Sequence, residues 1–174
     1  MAEPSDTIIV RRAAEGDAAD IAALINAAFA QYRGRLDPQP SALSETAETL
    51  APQIATPAGA AVALRLERSG SIGPAIGAVL YKPEERDLYL GRLAVAPCAR
   101  RGGIAGALIR FVEDEARRRD CPGIVLGVRI AVPDNQRLFA RYGFVEISRH
   151  AHDGYAQPTW IRMRKSLLAS VRPA

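Results

Sequence analysis

The chain has 174 residues, 23 of them Lys or Arg against 19 Asp or Glu, for a formal net charge of +4, with 48% apolar and 24% charged residues. That length suits a single domain over residues 1–174 with a full core, and the composition is that of an ordinary globule rather than a disordered or fibrous chain. The basic residues are spread without an aromatic-interleaved stripe, which argues against nucleic acid, and no apolar run approaches the roughly 18 residues of a membrane span. Cys98 and Cys121 form no C-x-x-C pair, and no Cys/His set has zinc-ligand spacing. No metal is therefore expected, and reduced thiols point to a cytoplasmic protein. Residues 1–6 are polar and acidic and lack the apolar centre of a secretory signal.

Thr7–Arg12 alternates weakly and reads as a first strand. Asp17–Tyr32 carries Ile21, Leu24, Ile25, Ala28 and Phe29 at helical spacing and predicts an amphipathic helix. A turn-rich loop follows over Gly34–Pro40, then a shorter helix opened by Ser44 and running to about Ala55, where Pro57 and Gly59 end it. Ala60–Glu67 and Ala75–Tyr81 are short apolar runs between Gly and Pro, and read as strands; Asp87–Ala96 is a third. Gly103–Arg119 is the strongest helix, with Ile104, Leu108, Phe111, Val112 and Ala116 on one stripe and three arginines at its C-terminus. Ile124–Ile130 suits a strand buried on both faces. Asp134 is placed to cap a short helix that Gly143 ends, and Phe144–Arg149 and Thr159–Lys165 are the last strands. Hairpins leading into a βαβ unit indicate an α/β fold with a mixed, mostly antiparallel central sheet flanked by helices.

The turn Ala96-Pro97-Cys98-Ala99-Arg100-Arg101-Gly102-Gly103 breaks two local rules. It sets two arginines where a helix dipole is positive, and it has no Ser, Thr, Asp or Asn to cap the helix. A bound anion, held by free backbone amides and the guanidinium groups of Arg100 and Arg101, is the simplest compensation. Neither G-x-x-x-x-G-K-[ST] nor G-x-G-x-x-G is present.

Leu93-Ala94-Val95-x-Pro97-x-x-Arg100-x-x-Gly103-x-Ala105 resembles the acyl-coenzyme A signature of the GCN5-related N-acetyltransferases, whose pattern Q/R-x-x-G-x-G/A follows a strand and opens a helix. Phe139-Ala-Arg-Tyr-Gly143-Phe144 is similar to the family's short helix ending in Gly-Phe. The resemblance implies that fold, with acetyl-coenzyme A as cosubstrate. It implies a small-molecule amine or a protein amino group as acceptor, and a monomer or homodimer. It places Arg100, Arg101, Gly102, Gly103, Ile104, Ala105 and Gly106 around the phosphates and the main chain of Leu93, Ala94 and Val95 along the pantetheine, the side chains of Leu93 and Val95 being core. Asn135 and Phe139 join the cofactor side, Asn135 serving equally as a helix-start residue. Many members carry a tyrosine acid where this chain has Phe139, so Tyr142, one helical turn later at the helix end, and Tyr155 are the substitutes. His152, with His150 beside it, is the candidate base, against a surface histidine without a role. Glu84, Glu85 and Asp87 are either a water chain to the base or a solvated turn. Acceptor contacts are expected from Tyr32, Arg33 and Arg35, which equally read as a basic rim. Because Phe139 cannot donate a proton, a coenzyme A-binding sensor of the same fold is the alternative to an enzyme.

Overall fold

The computed structural model describes residues 7–55, 57–67 and 70–168. Residues 1–6, on which the expectation about a secretory signal falls, lie outside them. The elements run β1 (Thr7–Arg12), α1 (Ala18–Phe29), α2 (Ala47–Ile54), β2 (Gly59–Leu66), β3 (Ile72–Glu84), β4 (Asp87–Val95), α3 (Ile104–Arg118), β5 (Gly123–Arg129), α4 (Pro133–Arg141), β6 (Val145–His150) and β7 (Trp160–Ser166). The strands form one mixed sheet in the order β1-β2-β3-β4-β5-β7-β6.

Tertiary contacts gather the chain into two units. The first comprises the described residues up to Lys82 with Arg92–Phe111. In it β1 and β2, and β2 and β3, pair antiparallel. Ile21, Leu24 and Ile25 of α1 and Leu50 and Ile54 of α2 bury against Val62, Leu64, Ala78, Leu80 and Ala94. Each fully buried aliphatic side chain of this kind contributes about 1.5–3 kcal/mol. β3 begins three residues earlier than the apolar run suggests. Pro74, which cannot donate to a ladder, falls where the β2–β3 register shifts between Ala75↔Leu64 and Ile72↔Leu66, so the strand continues through it. α2 is capped by Thr46 rather than opened by Ser44. Thr46 and Thr49 exchange reciprocal backbone-to-hydroxyl bonds at 2.9 and 3.3 Å, while Ser44 closes a separate turn over Ser41–Ser44.

The second unit comprises Pro83–Gly91 and the described residues from Val112 on. Here β4 runs parallel to β5 at Leu88↔Ile124 and Tyr89↔Val125, and the last strand, β7, pairs antiparallel with both β5 and β6. Residues Gly123–Leu126 and Val128 are buried, whereas Gly127 is exposed and Arg129 and Ile130 are half-buried, so burial on both faces holds only for the first part of the expected strand. α4 starts at Val132 with Pro133 in its first position, and not at a capping Asp134. The fixed φ of Pro133 opens the helix, and Asp134 pairs instead with Arg137 one turn on. Gly143, at φ 87°, ends it as expected.

Candidate functional site

β4 does not run straight to its end. Arg92 has φ 52°, a left-handed conformation rare for a residue with a Cβ, in mid-strand. The Arg92 side chain explains how it is held: Nε donates to Glu45 at 2.7 Å and a terminal nitrogen donates to Ser41 Oγ at 2.9 Å. Beyond this kink Ala94 is buried at 2% exposure, whereas Leu93 and Val95 are only half-buried. The expectation that Leu93 and Val95 are core therefore gives way to Ala94, the side chain that joins the apolar cluster. The Ala96 amide donates to the Ile76 carbonyl at 2.9 Å, which fixes the end of β4 to β3.

The following turn is built by backbone conformation. Pro97–Ala99 form one helical turn closed by Ala99 N–H to Ala96 O at 2.8 Å. Arg101 (φ 65°) and Gly103 (φ 76°) are then both left-handed, on either side of Gly102. Left-handed residues alternating with other conformations turn successive amides to one side and make an anion-binding nest. The Gly103 carbonyl accepts the first bond of α3, from Ala107 at 3.0 Å. The first-turn amides of Ile104, Ala105 and Gly106 have no partner within the helix and add to the nest at its positive end. A Cβ on Gly103 would meet no protein atom within 4 Å, so the space beside the nest is open. These groups fit the pyrophosphate of coenzyme A.

The two arginines of the turn do different work. Arg100 donates to the Ala28 carbonyl (3.2 Å) and to Gln31 Oε1 (3.3 Å), placing its charge at the negative C-terminal end of α1. Its exposed side chain thus has partners within the chain that offset part of its charge. Arg101 is exposed.

α3 is seated by Gly77. A Cβ at that position of β3 would lie 2.5 Å from Ile104 Cγ2 and 3.0 Å from Leu108 Cδ1. Only glycine lets the strand approach the first turn this closely. Ile104 and Leu108 are buried, at 3% and 0% exposure.

Between α1 and α2, the Tyr32 ring packs edge-on to Phe29 at 5.9 Å, and Arg33 and Arg35 are exposed. Glu45, Ser41 and Arg92 were not singled out from the sequence. A charged residue inside the apolar strand Leu88–Val95 was the available signal.

In the second unit, His152 and Tyr155 come together, their rings edge-on at 6.3 Å. His152 Nδ1 and its backbone amide both meet Thr159 Oγ1, and Nε2 lies 3.5 Å from Arg129. Burial, and then the Arg129 charge, hold the imidazole below its ordinary value of 6.5, so it is neutral at pH 7. A histidine whose folded value is depressed resists protonation. Its contribution to stability is intact above about pH 6.5 and is lost as pH falls through that point, where the unfolded chain takes up the proton first. Denaturant melts between pH 5 and 8 should show this slope, and His152→Gln should flatten it. His150 stands apart, stacked on Trp160 at 4.3 Å and bonded to Ser148 at 2.7 Å.

Phe139 is 7% exposed and packs edge-on to Phe144 at 5.7 Å, so its side chain is core. Tyr142 is the half-buried residue that caps α4. Asn135 lies in the first turn of α4, its amide donating to Val132 O at 3.2 Å. Glu84 pairs with Arg162 at 2.8 Å and Asp87 with Arg164 at 2.7 Å, so these two carboxylates hold β7 rather than lie free in a solvated turn. Among the described residues no three His, Cys, Asp or Glu gather as metal ligands, and no helix is long and apolar enough to cross a membrane.

A model of the acetyltransferase (GNAT) family matches residues 22–144. The acetyltransferase Atu2258 of Agrobacterium fabrum is 36% identical over 78 residues, which are 44% of this chain and 56% of that protein, so the match spans little more than half of the relative. The PaiA N-acetyltransferase of Thermoplasma acidophilum, solved in complex with coenzyme A, superimposes with a TM-score of 0.71 at 16% identity, over 92% of this chain and 99% of that one. The ribosomal-protein-S18-alanine N-acetyltransferase of Escherichia coli does so with a TM-score of 0.66 at 17% identity, over 97% and 100%. At such identities the structural likeness establishes the fold. The family match takes in β4, the nest and α3 together, and the chain belongs to the acetyltransferase (GNAT) family.

Proposed function

We propose that the protein is an N-acetyltransferase that moves an acetyl group from acetyl-coenzyme A to a primary amine by direct attack. The observation that carries this reading is the nest at residues 101–103 opening onto α3, with Gly103 left-handed beside open space. The bound cosubstrate supplies an activated thioester. The backbone of Arg101–Gly106 holds its phosphates, and the main chain of β4 beyond Arg92 aligns its arm, where an amide of Leu93–Val95 polarises the carbonyl. The amine nitrogen bonds to the carbonyl carbon, the carbon–sulfur bond breaks, the sulfur leaves as thiolate, and the amine gives up a proton. Only about one in two thousand lysine-type amines is neutral at pH 7, so selection of the neutral form is part of the task. His152, held neutral, is assigned as base. Tyr142 and Tyr155 are assigned as donors to the thiolate; neither role is served by Phe139.

Arg33 and Arg35, with Tyr32, favour an acceptor that carries a carboxylate, since a guanidinium fork matches that group. The acceptor is then a small amine or a protein amino group with a neighbouring acid. By their names, one structural relative is a spermidine N-acetyltransferase chimera and another a ribosomal-protein-S18-alanine N-acetyltransferase, so a small amine and a protein amino group are both acceptors on this fold. A second reading, a coenzyme A-binding sensor, is favoured by the buried Phe139 at the position where many members keep an acid.

Release of free thiol from acetyl-coenzyme A over a panel of amines decides between the two. Turnover with carboxylate-bearing amines, lowered about tenfold or more by Arg33→Ala with Arg35→Ala, is expected for the enzyme. Silence across the panel in a chain that still binds coenzyme A supports the sensor. Tyr142→Phe and Tyr155→Phe should separate the donors, the true one lowering kcat by about 10²-fold or more.

A further inference from the structure

Two arginines of the donor-binding strand and turn reach the stretch between α1 and α2 at its two ends. At one end Arg100 holds the Ala28 carbonyl and Gln31. At the other, Arg92 bridges Glu45 and Ser41. Glu45 is a charged residue only 8% exposed, and its remaining bonds are satisfied locally: Thr49 Oγ1 donates to its second carboxylate oxygen at 2.8 Å, and Asn26 donates to its backbone carbonyl at 2.7 Å. Tyr32, Arg33 and Arg35 lie between these anchors. The left-handed backbone at Arg92 is what aims its guanidinium at this network, and a conformation of that kind persists only where its surroundings hold it.

We propose that Arg92 and Arg100 are positioning residues, a two-point clamp by which the donor strand and turn fix the stretch carrying Tyr32, Arg33 and Arg35 and so set where the acceptor amine lies. This rests on the acceptor role proposed for that stretch, but the clamp itself can be tested without any turnover. Arg92 is suited to the task because a planar fork spans two acceptors, Glu45 and Ser41, where a lysine supplies a point charge.

The bonds after Arg33 and Arg35 are exposed trypsin sites, and cleavage follows the population in which the local backbone opens. In wild type both bonds should be cut slowly. Glu45→Gln and, separately, Arg100→Met should each speed cleavage at these two bonds about tenfold or more, with other sites unaffected. Unchanged cleavage at both bonds in folded variants overturns the clamp, whatever the activity of the protein. Arg100 is exposed, so Arg100→Met keeps the test available should Glu45→Gln fail to fold. With an accepted amine in hand, Glu45→Gln should raise the amine KM about fivefold or more, by a larger factor than it weakens coenzyme A. Arg92→Lys should restore part of what Arg92→Met loses. Equal loss of amine and coenzyme A affinity in Glu45→Gln contradicts positioning and indicates general loosening.

Discussion

Gly103→Val is expected to fold and to lose coenzyme A. The residue sits at φ 76°, where a side chain costs about 1–2 kcal/mol and a β-branched one more. Its Cβ would meet no protein atom, so that strain is the main effect on stability. The added carbons would instead fill the open space beside the nest, or the backbone would leave the left-handed region and take the Gly103 and Ile104 amides with it. Either outcome removes the phosphate contacts, and a fall of about 100-fold or more in coenzyme A affinity should follow, close to 2.7 kcal/mol. Gly102→Ala is the control. That position does not need a left-handed φ, and its Cβ would lie 3.4 Å from the Ala99 carbonyl, an ordinary contact, so coenzyme A binding should be largely kept. Titration calorimetry on the two variants reads the difference.

Gly77→Val should act through packing. Its Cβ would press 2.5 Å from Ile104 Cγ2, a stiff β-branched group buried at 3% exposure, and 3.0 Å from Leu108. Overpacking of this kind costs about 1–3 kcal/mol. For a chain of this size that lowers Tm by about 2–4 °C per kcal/mol. The first turn of α3 can relieve the clash only by moving off β3, and the amides of Ile104, Ala105 and Gly106 would move with it. Coenzyme A affinity should therefore fall together with stability, in contrast to Gly103→Val, where affinity falls far more than stability. A Gly77→Val chain with a wild-type Tm would show that β3 does not seat the helix as described.

The local pattern made most elements legible. Period-3.6 stripes located α1 and α3, and β1 was bounded correctly because the apolar run and the flanking charges agree. Boundaries failed where a tertiary feature overrides a local rule. Pro74 reads as a strand breaker until the β2–β3 register shift makes room for it. Asp134 reads as a cap until Pro133 opens α4 from Val132. At the site, the Arg-Arg-Gly-Gly turn stands out in the sequence by its rule-breaking, and the structure gives it a left-handed pair at Arg101 and Gly103. What stayed hidden was the division of labour between the arginines. The partners of Arg100 and Arg92 lie 69 to 72 and 47 to 51 residues away along the chain, and no spacing rule connects them. Phe139 was legible as a missing acid, and its packing on Phe144 gives the position a core role.

Phosphate binding by the backbone nest at the start of α3 is the step on which the proposed function rests. Its most direct test compares coenzyme A with pantetheine, which keeps the thiol arm and lacks the phosphates, by thermal shift on the wild-type chain. Saturation at 100 times Kd stabilises by about 2.7 kcal/mol. Coenzyme A should therefore raise Tm by about 5–10 °C, and pantetheine at the same concentration by little or nothing. Equal shifts from the two ligands, or no shift from coenzyme A, would contradict the account.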